Sequence, residues 1–267
     1  MYLGKFIKNL EKKYHDLYFS GLAFNSKKVK KGNIFFAIQG TKLDGNKYIN
    51  EAIEKGAKII VSDRYIKLKK NIVLIKNKNP RKLLAEISYK LIRKNPKNFI
   101  AVTGTNGKSS VADFYYQILN LNKKKAASVG TVGIQFNNKK KYIENTTLDP
   151  IKFTKVINNL ILRKVNNIIL EASSHGLKQN RLDGLLFDIG IFTNLSHDHL
   201  DYHKNLKEYL NAKLYLFKNL VKQRGIVITE LSTPHLKIIK QIVKKRNLKL
   251  LTIFDKNSDL ELVSHHY

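Results

Sequence analysis

Short apolar runs alternate along this chain with stretches whose apolar residues recur every three or four positions, the signature of stacked βαβ units. Ile34–Ile38 (IFFAI), Lys58–Val61 (KIIV) and Asn71–Lys76 (NIVLIK) predict strands. Lys47–Lys55 predicts a helix stopped by Gly56, and a second helix is expected from Pro80 to about Asn95, where Pro96 ends it. A domain boundary is expected there, dividing the chain into 1–97 and 98–267. Beyond it, Asn98–Thr103 (NFIAVT) predicts a strand and a helix begins near Lys108. Asp149–Pro150 opens another helix, with Phe153, Val156, Ile157, Leu160 and Ile161 at helical spacing. Asn167–Leu170, Asp188–Phe192 and Gly225–Thr229 read as further strands. From Asn205 to Leu220 a helix is expected to align Leu206, Leu210, Leu214 and Phe217, with Lys213 among them. The fold class expected is α/β: a small N-terminal α/β domain, then a domain built on a mostly parallel sheet.

Three of the predicted strands run directly into polar clusters: Thr103–Ser110, Glu171–Gly176 and Thr193–His203. Ligands of open parallel sheets sit beyond the carboxyl ends of the strands, so these clusters are expected to converge in space.

Composition narrows the chemistry. The 267 residues include no cysteine, which excludes disulfides, thiolate nucleophiles and Cys-ligated zinc. No apolar run approaches the ~18 residues of a membrane span. Lys5 and Lys8 interrupt Met1–Leu10, so no secretory signal is expected and a cytoplasmic location is. Fifty Lys and Arg against 20 Asp and Glu give a net charge of +30, which by itself suggests a polyanionic partner. The lysines, however, are spread along the chain among Asn and Ile, as in A/T-biased coding, and no reader motif or aromatic-basic stripe accompanies them. Drift over a solvated surface is the reading adopted, against a functional basic patch. A monomer is expected, with neither nucleic acid nor membrane as partner.

The first cluster reads TGTNGKSS between a predicted strand and a predicted helix. Gly104 and Gly107 permit a tight turn whose amides, with the helix N-terminus, suit phosphate. Lys108 would reach terminal phosphates and the Ser109 hydroxyl would ligate Mg²⁺. The strict Walker spacing fails, because Val102 stands where its first glycine belongs. Glu171, straight after a buried strand, is placed to hold a metal facing that loop. The His- and Asp-rich third cluster is open between metal ligation, zinc included, and plain hydrogen bonding, since Mg²⁺ prefers oxygen donors. Lys213 within an apolar face is open between two states. Buried, it would lose its proton and could react with CO₂ to form a carbamate; otherwise it snorkels to solvent.

Together, TGTNGKSS, Asn145–Thr147 (NTT), Ser173–Arg181 (SSHGLKQNR) and His197–His203 (HDHLDYH) resemble the Mur ligase family, and within it the UDP-N-acetylmuramoyl-tripeptide synthetases. Phe24–Gly45 resembles that family's uridine-binding segment, with Asn25-Ser26-Lys27 where Asp-Ser-Arg is usual. The resemblance implies an N-terminal UDP-binding domain and a P-loop ATPase domain, incomplete at its C-terminus, with the amino-acid-binding domain absent. It implies ATP on Gly104, Thr105, Asn106, Gly107, Lys108, Ser109 and Ser110. It implies UDP-precursor contacts at Phe24, Ser26, Thr41, Lys42, Leu43, Asn145, Thr146, Thr147, Ser173, Gln179 and Arg181. Two Mg²⁺ ions are implied, held by Ser109, Glu171, His199 and carbamylated Lys213; Lys108, Lys213 and His199 are the implied catalytic residues. The implied reaction is ATP-dependent amide formation between UDP-N-acetylmuramoyl-L-Ala-D-Glu and a diamino acid, which this chain is not expected to turn over alone. The alternatives are a folylpolyglutamate synthase-like ligase and, remotely, a basic nucleic-acid-binding NTPase.

Overall fold

The structure is a computed structural model that describes residues 1–7, 10–40, 43–199 and 201–264. The chain separates into two compact units, Met1–Ile92 with Pro150–Thr154, and Arg93–Asp149 with Lys155–Tyr267.

In the first unit, β1 (Gly21–Ala23), β2 (Asn33–Phe36), β3 (Ile59–Ser62) and β4 (Val73–Lys76) form a parallel sheet in chain order among the described residues. A parallel sheet is covered on both faces, which is why its strands read as unbroken apolar runs. Ile34, Phe36, Ile59 and Val61 pack with Leu83, Leu84 and Ile87 of α2 (Pro80–Tyr89). Phe35 and Ile60 alternate to the other face, against Ile49 and Ala52 of α1 (Ile49–Glu54). Asn79 caps α2 by accepting from Lys82 N, and Pro80 occupies its first turn. Two helices are shorter than predicted. Residues Gly45–Tyr48 form a 3₁₀ turn before α1, and α2 stops at Tyr89 rather than near Asn95. After Tyr89 the backbone tightens to three-residue bonds, Leu91 N to Ser88 O and Ile92 N to Tyr89 O.

The second unit contains β5 (Asn98–Thr103), α3 (Lys108–Leu121), β6 (Ala126–Gly130), β7 (Gly133–Phe136), β8 (Lys139–Lys141) and α4 (Pro150–Leu162). It continues with β9 (Asn167–Glu171), α5 (Ser174–Lys178), β10 (Phe187–Phe192), α6 (Leu206–Tyr215) and β11 (Val221–Glu230). The last elements are α7 (Leu236–Arg246), β12 (Lys249–Phe254) and β13 (Leu260–Glu261). Among the described residues the strands form one sheet ordered β13-β12-β11-β10-β5-β9-β6-β7-β8, parallel except for β7 and β8. The predicted helix 205–220 is α-helical to Tyr215 and then a π turn over Leu216–Leu220. Tyr209, Lys213, Leu214, Leu216 and Phe217 are buried while Leu206 and Leu210 are half-buried, so the inward face is offset from the predicted Leu206–Leu210 stripe.

Candidate functional site

Register decides where the polar clusters meet. β5 lies between β9 and β10, with Val102 opposite Glu171 and Thr103 opposite Phe192. β6 flanks β9 with Val129 opposite Leu170. The carboxyl ends of four adjacent parallel strands thus point the same way, at the place where the chain's strand order reverses, the usual ligand position of such sheets.

The loop after β5 is built for an anion. Gly104 and Gly107 have φ of 154° and 81°, conformations that favour glycine, and a Cβ at Gly104 would collide with Thr193 Oγ1. Gly107 starts α3, so the N–H groups of Lys108, Ser109 and Ser110 lie in a first turn without intrahelical acceptors. Thr105 N donates to Asn194 O and Asn106 N to Asn194 Oδ1, at 3.0 and 2.9 Å, while Thr193 Oγ1 donates to Asn106 O at 2.6 Å. The loop is therefore anchored to the end of β10. Lys108 curls back, its Nζ donating to Gly104 O at 2.9 Å and Thr105 O at 2.7 Å. Burial holds its pKa below the usual lysine value, against the pull of Glu171 and Asp198.

Glu171 is 1% exposed at the end of β9. It accepts from Ser109 Oγ at 2.9 Å, and from Thr131 N and Thr131 Oγ1 at 2.8 and 3.1 Å. A Cβ at Gly130 would overlap its carboxylate, so that glycine is what lets β6 approach. Lys213 Nζ donates to Gly104 O at 2.6 Å and lies 4.1 Å from the centre of the Tyr209 ring, whose hydroxyl pairs with Thr105 Oγ1 at 3.2 Å. Burial, with the like charge of Lys108, pushes the Lys213 pKa down to about 7. The side chain is 1% exposed and does not snorkel. The phosphate loop, Glu171 and Lys213 are one hydrogen-bonded constellation.

The third cluster borders it. His199 has a left-handed backbone, φ 52°, and a half-exposed side chain whose Nε2 is 3.5 Å from Asp198. Its ring stands edge-on to His175 and Tyr209, with centroids 4.9 and 6.1 Å apart. His203 is fully buried between Tyr202 and Tyr209, and neither ring nitrogen has a partner among the described residues. Burial first, then Lys178, lowers its pKa to about 4. Among the described residues no three His, Asp or Glu side chains are grouped to hold a metal. The histidines pack as rings.

The profile of the Mur ligase middle domain matches residues 102–265, and that of the Mur ligase family, catalytic domain, matches 18–96. The chain belongs to the Mur ligase family. A UDP-N-acetylmuramoyl-L-alanyl-D-glutamate–2,6-diaminopimelate ligase of Rickettsia montanensis is 41% identical over 95% of this chain and 53% of its own length. A solved ligase of the same description has a TM-score of 0.83 at 25% identity, covering 97% of this chain and 54% of that one. The MurF ligase from Thermotoga maritima, in complex with ADP, shares the fold at TM-score 0.60 and 22% identity, over 91% of this chain and 52% of that one. The chain spans about half the length of the curated relatives it matches.

Of the residues that the resemblance to Mur ligases assigned to a UDP-precursor, those in the second unit other than Asn145 join the same network. Thr146 Oγ1 pairs with Thr131 Oγ1 at 3.0 Å. Thr147 Oγ1 donates to Glu171 O at 2.9 Å, and Ser173 Oγ lies 3.0 Å from that hydroxyl. Arg181 donates to Thr147 O and doubly to Gln179 Oε1, and Gln179 donates to the Tyr202 hydroxyl. Asn145 is exposed. In the first unit Phe24 and Leu43 are exposed at 40% and 65%, whereas Ser26 is buried with Oγ donating to Glu51 at 2.8 Å. A ligand would have to share that hydroxyl with Glu51. Thr41 and Lys42 lie outside the described residues. Thr131, Asn194, Tyr209 and Gly130 were not singled out from the sequence. Asn194 and Tyr209 sit in or beside the flagged clusters, but only register brings Gly130 and Thr131 to Glu171.

Proposed function

We propose that this chain binds MgATP and a UDP-linked muramoyl dipeptide, for an ATP-dependent reaction joining a diamino acid to the dipeptide's carboxylate. The names of its relatives support diaminopimelate as that amine and UDP-N-acetylmuramoyl-L-alanyl-D-glutamate as the acceptor. The ADP of the fold-related MurF supports the nucleotide. The observation that carries the proposal is the direct link from the phosphate loop after β5 to Glu171 at the end of β9 and to Lys213 on α6.

The precursor's carboxylate oxygen attacks the γ-phosphorus, ADP departs, and an acyl phosphate results. The diamino acid's amine then attacks the acyl carbon; phosphate leaves, the nitrogen loses a proton, and the amide remains. The chain's part is positioning and charge, since phosphoryl transfer needs little covalent help from protein. The first-turn amides of α3 face the phosphates. Lys108 exchanges its two loop carbonyls for phosphate oxygens. Ser109 and Thr131 each hold a hydroxyl oxygen within hydrogen-bond distance of the Glu171 carboxylate, a hard-oxygen donor set that fits Mg²⁺. When bound, Mg²⁺ would neutralise phosphate charge. A second ion would draw on His199 and on Lys213 as its carbamate: Nζ as neutral amine adds to the carbon of CO₂ and gives its proton to water. Thr146, Thr147, Ser173, Gln179 and Arg181 would hold the muramoyl dipeptide.

Calorimetric titration of the chain with MgADP, and separately with UDP-N-acetylmuramoyl-L-alanyl-D-glutamate, tests this reading. Saturable binding of both, with the nucleotide lost in Lys108→Ala and the precursor weakened in Arg181→Ala, is expected. Binding of dihydrofolate with indifference to the UDP-precursor would redirect it to the folate ligases.

A further inference from the structure

We propose that the outer face of α3, with the basic turns beside it, docks this protein on an anionic lipid bilayer without spanning it. The helix α3 packs Ala112 and Tyr116 inward, yet Phe114, Ile118 and Leu121 are 60%, 58% and 81% exposed. Their spacing of four and three residues puts them on one face. At the end of α4, Leu162 is 66% exposed as well.

Cations border these side chains. Lys123, Lys124 and Lys125 follow Leu121 after Asn122 and are exposed. Lys125 Nζ donates to Arg163 O at 3.4 Å, joining them to the end of α4, and Arg163 reaches over the Phe136 ring. Asn120 Nδ2 donates to Asn138 Oδ1 at 2.7 Å and Asn138 N to the Tyr116 hydroxyl at 2.9 Å, which brings exposed Lys139 and Lys140 alongside. Residues 114–143 and 155–170 contain no Asp or Glu, although the chain holds 20. Elsewhere lysines have carboxylate partners, as in Lys55–Glu51, Lys178–Glu208 and Lys222–Asp188. Asp113 of α3 is taken up by Gln117 and Gln135, and uniform drift toward lysine does not explain the acid-free stretch that follows it along an exposed apolar helix face.

The combination is that of an interfacial surface: apolar side chains for the acyl boundary, flanked by lysines for anionic headgroups. A single-stranded nucleic acid would ask for a row of aromatic platforms, whereas Phe114 stands alone here beside aliphatic Ile118, Leu121 and Leu162. The expectation that no membrane is a partner rested on the absence of a span, and no helix among the described residues is long and apolar enough to cross one. Peripheral contact needs none.

Flotation with vesicles of phosphatidylglycerol and phosphatidylcholine, against pure phosphatidylcholine, tests the proposal at physiological salt. Partition onto the anionic vesicles is expected to fall tenfold or more in Ile118→Gln/Leu121→Gln, and in Lys123→Glu/Lys124→Glu/Lys140→Glu. The α7 control Lys237→Glu/Lys240→Glu/Lys244→Glu carries the same charge change and is expected to keep most of it. Equal losses in the control and the α3-side triple variant would reduce the effect to net charge and overturn the proposal. So would vesicle binding indifferent to the apolar pair, or no vesicle binding beside tight binding of single-stranded DNA. MgADP titration of each variant reports folding and the phosphate loop separately, so failure here is distinct from failure of the ligase reading.

Discussion

Glu171 shows how much of a site can depend on an atom that is missing. Its carboxylate occupies the space a side chain at residue 130 would need. Gly130→Ala is therefore expected to cost about 1–3 kcal/mol, the range for overpacking a tight site, and to weaken Mg-dependent nucleotide binding. Urea denaturation paired with titration checks both; unchanged stability would mean that the carboxylate has room to move. Nothing in the string VGTVG announces this role, because it arises from the pairing of β6 with β9. Lys213 was more legible, as a lysine among leucines. Its pKa is lowered from the usual 10.5 to about 7 on folding. Between those values the unfolded chain keeps a proton that the folded chain has released, so stability rises with pH across that window. Below it, both states are charged and the full cost of burying an ammonium is felt. Lys213→Met is expected to stabilise more at pH 6 than at pH 9, in bicarbonate-free buffer. With each pKa unit worth about 1.4 kcal/mol, the two differences should separate by a few kcal/mol. Equal differences at both pH values would contradict it.

At the scale of elements, the strands buried on both faces were legible because burial demands apolar runs: IFFAI, KIIV and NFIAVT all lie in parallel sheets. The edge was not. β6 is small residues, β8 is lysine alone, and each becomes a strand only through its neighbour. Helix α7 has Ile239 and Ile242 inward at helical spacing, a pattern present in the sequence but outside the elements predicted from it. The short α5 depends on its cap. Ser173 accepts from Gly176 N while its hydroxyl meets Thr147. Ser173→Ala is expected to cost about 1 kcal/mol in denaturant titrations, whether or not a precursor binds there. A loss seen only in precursor affinity would make Ser173 a ligand contact and not a cap.

The whole molecule carries +30 charges on 267 residues, and mutual repulsion opposes the compact state. Added salt screens that repulsion. Raising NaCl from 20 to 200 mM is expected to stabilise the fold by about 1 kcal/mol, or roughly 2–4 °C in Tm for a protein of this size. A fall in Tm would show that ion pairs outweigh repulsion. The same charge has a consequence where the larger sheet ends. Among the described residues its outermost strand on one side, β8, consists of three exposed lysines. A neighbouring molecule trying to extend the sheet would have to align its backbone with a fence of ammonium groups, and two such fences would repel. Growth from molecule to molecule is thus opposed by charge along β8, which protects a sheet that would otherwise be a ready template for fibrils.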